Sequence, residues 1–328
     1  VVHTGDFFHR PSPANRPLIE GMAGLRRLGD AGIPVVMIAG NHSTPRTVYT
    51  SPILKALRSV PGVHPVFEQR YERVELDGAV FHGVPHINDE REYARELRLA
   101  EPVPGKLNVL MLHTSVGKGF LMEEYGERVL DESLLDGYDG FDYTALGHWH
   151  NFQRVKRIGH AWYAGSTERL SDREAGVPKG CALAEIGDGA AKVKFLPIET
   201  RPWLRLDVKG CSGRGVEEIR KEISTGAEAE HLGAIVSLYL HDLLPDQGAG
   251  IPNAWIAARF PGALSVLVRR VYRAGRARWE DGGARSQGLE DMFAAYLAKE
   301  VADGAERARI QALAAKYFHR DETEGREP

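Results

Sequence analysis

Residues 142–150 read DYTALGHWH, an apolar run that stops in two histidines. Tyr143 to Leu146 has the length and composition of a buried strand. Three other runs stop in the same manner: VVHTGD over 1–6, VVMIAGNH over 35–42 and LNVLMLH over 107–113. Parallel sheets in α/β proteins release their functional side chains at the carboxyl ends of strands, where the chain leaves the core for a crevice. Four such ends side by side would bring Asp6, Asn41, His42, His113, His148 and His150 to one edge. The pattern predicts a layered α/β fold with a single site on its rim.

In extended backbone, residues two apart point to the same side and lie roughly 6–7 Å apart. His148 and His150 are therefore expected to face one cavity while being too far apart to chelate one ion. They suit two ions roughly 3.5–4 Å apart, with a carboxylate between them, and Asp6 is the available bridge. Imidazole, carboxylate and amide donors without a thiolate favour Mn²⁺, Fe²⁺ or Zn²⁺ over Ca²⁺ or Mg²⁺. A cation pair of this type holds a phosphate and makes hydroxide available near neutrality, and a spare histidine can protonate the leaving oxygen. Taken singly, GNH is a common loop tripeptide and a lone strand-end histidine is an ordinary core residue; it is their joint occurrence after apolar runs that selects the metal site. His3, His64, His82, His86, His160, His231, His241 and His319 lack that context and are read as structural or surface residues.

Working outward, Leu18, Met22 and Leu25 recur at helical spacing, with Gly29 as the expected stop before the strand VVMIA. AVFHGV (79–84), AWYAGS (161–166) and CALAEI (181–186) read as further strands, and GDGAAKVKFLPI (187–198) continues as a hairpin. Many strands and few helices predict a sandwich of sheets. A boundary falls at PIETRPW (197–203). Beyond it come strand LRLDV, helix GVEEIRKEI, strand AIVSLYL, a loop LLPDQGAGIPN, a short helix and strand LSVLVRRVY, a small α+β module. Met292, Phe293, Tyr296, Leu297 and Val301 form an apolar helical stripe, and residues 319–328 read as a frayed tail.

With 328 residues, 43% of them hydrophobic, the chain has enough material for two or so globular domains, and its net charge of −3 excludes a uniformly basic surface. Cys181 and Cys211 are too few and too far apart for a disulfide framework or a zinc knuckle. No run approaches the roughly 20 apolar residues of a membrane span, so a cytoplasmic location is the expectation.

The order GD, GNH, H, GHxH resembles that of the calcineurin-like metallophosphoesterases, in particular the SbcD-type branch that processes DNA double-strand breaks. GDFFH places His9 where other branches carry a second Asp. GFDYTALGHWHNFQRV (140–155) and YAGSTERLSDREAGVPKGCALAEI (163–186) are similar to that branch's GHxH segment and its following strand pair, and RPWLRLDV leads into what looks like its capping domain. The resemblance covers nearly the whole chain. It implies a sandwich of two mixed β-sheets flanked by helices (residues 1–198), a small α+β capping domain (199–285) and C-terminal helices with a tail (286–328).

It further implies that Asp6 bridges two Mn²⁺ ions, with Fe²⁺ or Zn²⁺ as alternatives. Asn41, His113 and His148 complete one ion and His150 binds the other. His42 acts on the leaving group, and His9 stands beside it against the scissile phosphate. The implied activity is exonuclease or endonuclease cleavage of DNA. The implied partners are DNA, an SbcC-type ABC ATPase with coiled coils, and a second copy of the chain. Ser43 departs from the family's Asp after GNH, and altered support of the ligands is expected from it.

Only five residues precede Asp6, whereas the family has a D-x-H motif on a strand roughly 30 residues earlier, the least that a strand–helix–strand crossover requires. The expectation is a fragment lacking that first strand and able to hold at most one ion well, which can leave it without activity. The basic clusters RVKRIGH (154–160) and VRRVYRAGRARW (268–279) fit phosphate contacts. Two other readings stay open at this point: a phosphatase or phosphodiesterase for small molecules, and a non-catalytic subunit that binds DNA ends or the ATPase.

Overall fold

The structure, a computed structural model, describes residues 1–45, 51–117, 129–138, 140–156, 158, 160–187, 190–228, 231–273, 293, 294, 296–298, 301 and 303–318. The chain divides into two compact units, Val1–Arg273 and Ala274–Pro328.

The first unit opens with a parallel sheet of β1 (Val2–His3), β2 (Val35–Ile38) and β3 (Val63–Val66), with α1 (Asn15–Asp30) and α2 (Leu54–Leu57) in the connections. β4 (Glu72–Leu76), β5 (Ala79–Val84) and, after α3 (Glu90–Leu97), β6 (Leu107–His113) begin a second sheet. A short parallel pair, β7 (Ser115–Val116) and β8 (Val129–Leu130), follows. The second sheet is then completed by β9 (Tyr143–Gly147), β10 (Gln153–Arg154) and β11 (Ala161–Tyr163) in the order β10-β11-β9-β6-β5-β4. It is mixed: β5, β6, β9 and β11 run parallel, while β4 and β10 pair antiparallel at the two edges. The hairpin of β12 (Gly180–Gly187) and β13 (Ala190–Pro197) packs with both.

Strand periodicity builds the layers. On β2, Val36 and Ile38 point into a core shared with Val109, Met111, Tyr143 and Ala145 of the second sheet, while Val35 and Met37 point the other way, to Leu25, Leu54 and Leu57 of α1 and α2. On β6, Leu110 and Leu112 likewise face Tyr93 and Leu97 of α3. Burial on both faces explains why these strands read as unbroken apolar runs rather than alternating ones. Each such side chain contributes roughly 1.5–3 kcal/mol on burial.

Three local expectations change. Helix α1 runs past Gly29 to Asp30 and is capped by Ala31, after which Gly32, with φ of +70°, turns the chain away. Gly29 serves another purpose, because a Cβ there would lie 2.6 Å from the Pro61 carbonyl oxygen. The strand Val63–Val66 was hidden by Pro65, which is accommodated because β3 is an edge strand. The expected loop at 243–253 contains α5 (Pro245–Gly250), started by a proline at its first turn and capped by Gln247 Oε1 accepting from Leu244 N at 2.9 Å. Gln247 Nε2 also donates to the Cys211 and Arg214 carbonyls at 2.7 Å, ties that outweigh the low helix propensity of two glycines.

The module beyond residue 198 has its own core. β14 (Trp203–Val208), β15 (Ile235–Leu243) and β16 (Ser265–Tyr272) form a parallel sheet, and Val236, Leu238 and Leu240 pack on Ile219, Ile223 and Ile256 of α4 (Val216–Gly226) and α6 (Asn253–Ala257). On the opposite face Asp207 accepts from Arg205 Nε (2.8 Å) and Nη2 (3.1 Å) and pairs with His241 Nε2 at 2.8 Å. The Arg205 bonds, aided by His241 and opposed by burial, hold the Asp207 carboxyl at about 2, below its ordinary 3.8. A depressed carboxyl stabilises the fold above its ordinary value, and that contribution is lost as the pH falls from about 3.8 through about 2. Asp207→Asn should therefore lower stability at neutral pH and flatten the acid limb in that window, measured by urea unfolding across a pH series. An unchanged limb would mean that the pairing contributes nothing.

In the second unit, Phe293, Tyr296 and Leu297 are helical and a helix spans Gly304–Phe318. Met292 of the apolar stripe, residues 274–279 of the second basic cluster, Arg157 and Gly159 of the first, and the tail 319–328 lie outside the described residues. No helix among the described residues is long and apolar enough to cross a membrane.

Candidate metal centre

The carboxyl ends of the two sheets meet. β1 delivers Thr4-Gly5-Asp6, β2 delivers Gly40-Asn41-His42, β6 ends on His113, and β9 ends on Gly147, which pairs with His113 across the ladder. His113 is buried at the centre. Its Nδ1 donates to the Thr4 carbonyl at 2.7 Å, and its Nε2 lies 2.9 Å from Asn41 Oδ1 and 3.1 Å from Asp6 Oδ2. His148 stands edge-on to His113 with ring centroids 5.2 Å apart. One ligand atom each from Asp6, His113 and His148 lie within 4.8 Å of one another. An ion held at roughly 2.1 Å by each donor spans about 4.2 Å, so small adjustments close the site.

The donor chemistry fits a cation. A carbonyl can only accept, so His113 Nδ1 carries a proton, and in the neutral ring Nε2 then presents a lone pair. That lone pair faces the acceptor oxygens of Asn41 and Asp6. With Nε2 deprotonated, three acceptors converge and repel, and either a proton on Nε2 or a divalent ion in its place relieves this. Burial pushes the Asp6 carboxyl up, but the His113 ring and the His42 backbone N–H outweigh it and hold the group well below the ordinary carboxylate range. Asp6 Oδ1 accepts from that N–H at 2.9 Å.

The crowding dictates glycine around the cluster. A Cβ on Gly40 would land on Asp6 Oδ1 and lie 2.6 Å from His113 Cε1, one on Gly5 would lie 2.7 Å from His113 Cγ, and one on Gly147 would lie 2.8 Å from the Thr4 carbonyl carbon. Asp6 and His148 hold left-handed backbone conformations, with φ of +54° and +91°. Such strain in residues other than glycine costs on the order of 1–3 kcal/mol and collects at functional sites.

His42 and His9 form a second pair, stacked with centroids 4.9 Å apart. His42 Nδ1 donates to the His9 carbonyl at 2.9 Å, so Nε2 is its exchangeable nitrogen. Burial and the neighbouring His42 and Arg10 charges lower the His9 pKa.

His150 does not join the Asp6–His113–His148 group. The expected extended backbone ends at Gly147, and the turn at His148 sends the two imidazoles to different partners. His150 Nδ1 meets Glu174 Oε1 at 3.1 Å. The other Glu174 oxygen takes the buried Lys179 ammonium, which also donates to the His150 carbonyl at 2.9 Å. Burial pushes the Glu174 carboxyl up, but His150 and Lys179 outweigh it and hold it at about 2. Glu174 closes the single-turn 3₁₀ helix Asp172–Glu174. At the other end of that turn, Asp172 lies 3.8 Å from Arg205 Nη1 and beside Tyr239, whose hydroxyl pKa it raises. These groups, with Ser171, Arg173 and Arg269, line a cleft of about 570 Å³.

Residues set aside in the sequence also lie here. His86 follows β5, and its N–H donates to the Ala39 carbonyl at 2.8 Å, just before Asn41. Burial, with the His113 charge, lowers its pKa to about 4. Its signal was the strand-end logic itself, since AVFHGV also stops in a histidine after Pro85. His3 on β1 is lowered to about 4 by burial beside Asp6 and His113. Glu174 and Lys179 carried no signal, being 24 and 29 residues from the histidine they hold. Ser43 is buried, and its Oγ has no hydrogen-bond partner among the described residues.

Residues 1–152 match the family model described as calcineurin-like phosphoesterase. The chain is similar to the DNA double-strand break repair protein Mre11 of Haloferax volcanii, 31% identical over 225 residues that cover 68% of this chain and 48% of that protein. It is also similar to the proteins of the same name from Saccharolobus solfataricus (30% over 234 residues, 69% and 58%) and Sulfolobus acidocaldarius (26% over 219 residues, 63% and 55%). The chain spans about half the length of the curated relatives it matches.

Proposed function

The chain carries a calcineurin-like phosphoesterase domain over residues 1–152, and from that premise we propose that it hydrolyses phosphodiester bonds of DNA with two divalent cations, in the processing of broken ends. The observation that carries this reading is the convergence of Asp6, Asn41, His113 and His148 from four strand ends. In this reading Asp6, Asn41, His113 and His148 would hold one ion, and His150 would serve the other together with Asp6. Mn²⁺ is the preferred ion, with Fe²⁺ or Zn²⁺ compatible with the same donors. Bound ions supply a nucleophilic water and neutralise phosphate charge.

The remaining work falls to the chain itself. His42, held through Nδ1 on the His9 carbonyl, offers Nε2 to the leaving oxygen as a general acid. His9, stacked on it, flanks the phosphate. Arg154 and Lys156, exposed just after the histidine pair, contact backbone phosphates without reading bases. The capping module over 199–285 guides the DNA, with Arg269, Arg270 and Arg273 as its phosphate contacts. The relatives' role in double-strand break repair supports DNA as the substrate. An SbcC-type coiled-coil ATPase and a second copy of the chain are the partners that this reading carries, in the cytoplasm.

The test is Mn²⁺-dependent degradation of linear duplex DNA by the full chain and by His42→Ala. The variant should keep its metal and lose roughly 10²–10⁴-fold in rate. An undiminished His42→Ala rate would remove the acid assignment. Cleavage of bis-p-nitrophenyl phosphate with no DNA degraded would point to a small-molecule phosphodiesterase instead.

A further inference from the structure

We propose that Glu174 and Lys179 are positioning residues for the hydrolytic reaction, gripping His150 by ring and backbone so that Nε2 is the nitrogen it offers to metal. The inference rests on the reading of His150 as a metal ligand. An ionised carboxylate only accepts, so the 3.1 Å contact of Glu174 Oε1 requires the proton on His150 Nδ1 and leaves the lone pair on Nε2. A free imidazole favours the opposite arrangement. Lys179 closes the ring of contacts, forming an ion pair with the second Glu174 oxygen and donating to the carbonyl of His150 itself.

The backbone around the clamp is equally confined. The His150 carbonyl also accepts from Ser166 N at 3.1 Å, and a Cβ on Gly165 (φ +80°) would meet that carbonyl oxygen at 3.2 Å and Phe152 N at 2.9 Å. Burying an ammonium whose side chain is fully covered, opposite a carboxylate only 11% exposed, is a poor way to gain stability, because desolvation offsets the attraction. Orientation of a functional imidazole is the return such a pair gives, as it does for histidine ligands of metals in general.

The experiment uses the full chain with Glu174→Gln, Glu174→Ala, the double variant Glu174→Leu/Lys179→Met, and His150→Ala. The double variant removes both buried charges together and so keeps its fold where Glu174→Ala strands the lysine. Two readouts are taken: the ¹⁵N shifts of the His150 ring in metal-free protein, and Mn²⁺ titration followed by electron paramagnetic resonance. The parent and Glu174→Gln, which retains an acceptor oxygen, should show the Nδ1–H tautomer. The double variant should shift toward Nε2–H and weaken Mn²⁺ binding by roughly 10–100-fold. An unchanged tautomer in the double variant overturns the proposal. So does unchanged Mn²⁺ affinity there while His150→Ala weakens it. If His150→Ala also leaves affinity intact, it is the assignment of His150 as a ligand that fails.

Discussion

Replacing His113 by alanine is expected to abolish cation binding at the cluster and to cut phosphodiester hydrolysis by about 10³-fold or more. The ring joins three parts of the site, Thr4 through Nδ1 and Asn41 and Asp6 through Nε2, and packs edge-on to His148. Without it, Asp6 loses the group that does most to offset the cost of its burial. A bound ion supplies several kcal/mol of transition-state stabilisation, and each 1.36 kcal/mol is a factor of ten. Metal content by inductively coupled plasma mass spectrometry and the rate of DNA degradation should fall together. That separates this variant from His42→Ala, in which only the rate should fall. A His113→Ala protein that retains metal and digests DNA at the parental rate would show the ligand assignment to be wrong.

The second large effect is expected from a residue with no chemistry. Gly147→Ala should destabilise the fold by about 3 kcal/mol, a fall in Tm of roughly 10 °C at the 2–4 °C per kcal/mol usual for domains of 150–250 residues. The added carbon would fall on the backbone of Thr4, 2.8 Å from its carbonyl carbon. Neither chain can yield easily: β1 is fixed to β2 through Val2–Val36 and His3–Met37, and Gly147 is paired with His113. Because the Thr4 carbonyl orients His113, Mn²⁺ affinity should drop with stability. Gly24→Ala is the control, since nothing lies within 4 Å of a Cβ at that position on α1. It should be neutral or stabilising by up to about 1 kcal/mol. Equal melting temperatures for Gly147→Ala and the parent would refute the packing argument.

The strands that build the site were legible because burial on both faces leaves an apolar run, and because that run stops abruptly where a polar group must emerge. Asp6, Asn41, His113 and His148 could thus be gathered from segments up to 142 residues apart. What escaped was anything set by contact rather than by period. Gly29 looks like a helix stop and is a spacer against Pro61. Pro65 argues against a strand until the strand proves to be an edge. The direction of His150 depends on one left-handed residue, His148, for which a non-glycine residue gives no advance notice. Glu174 is one of many acids until the fold lays it against an imidazole.

The turn Asp172–Glu174 has a mechanical consequence. One of its acids grips a histidine at the reactive edge and the other lies against an arginine and a tyrosine on a separate sheet. Three residues of backbone thus link the reactive edge to the smaller sheet, and any shift of one against the other must be taken up within that span or at the side-chain contacts that end it.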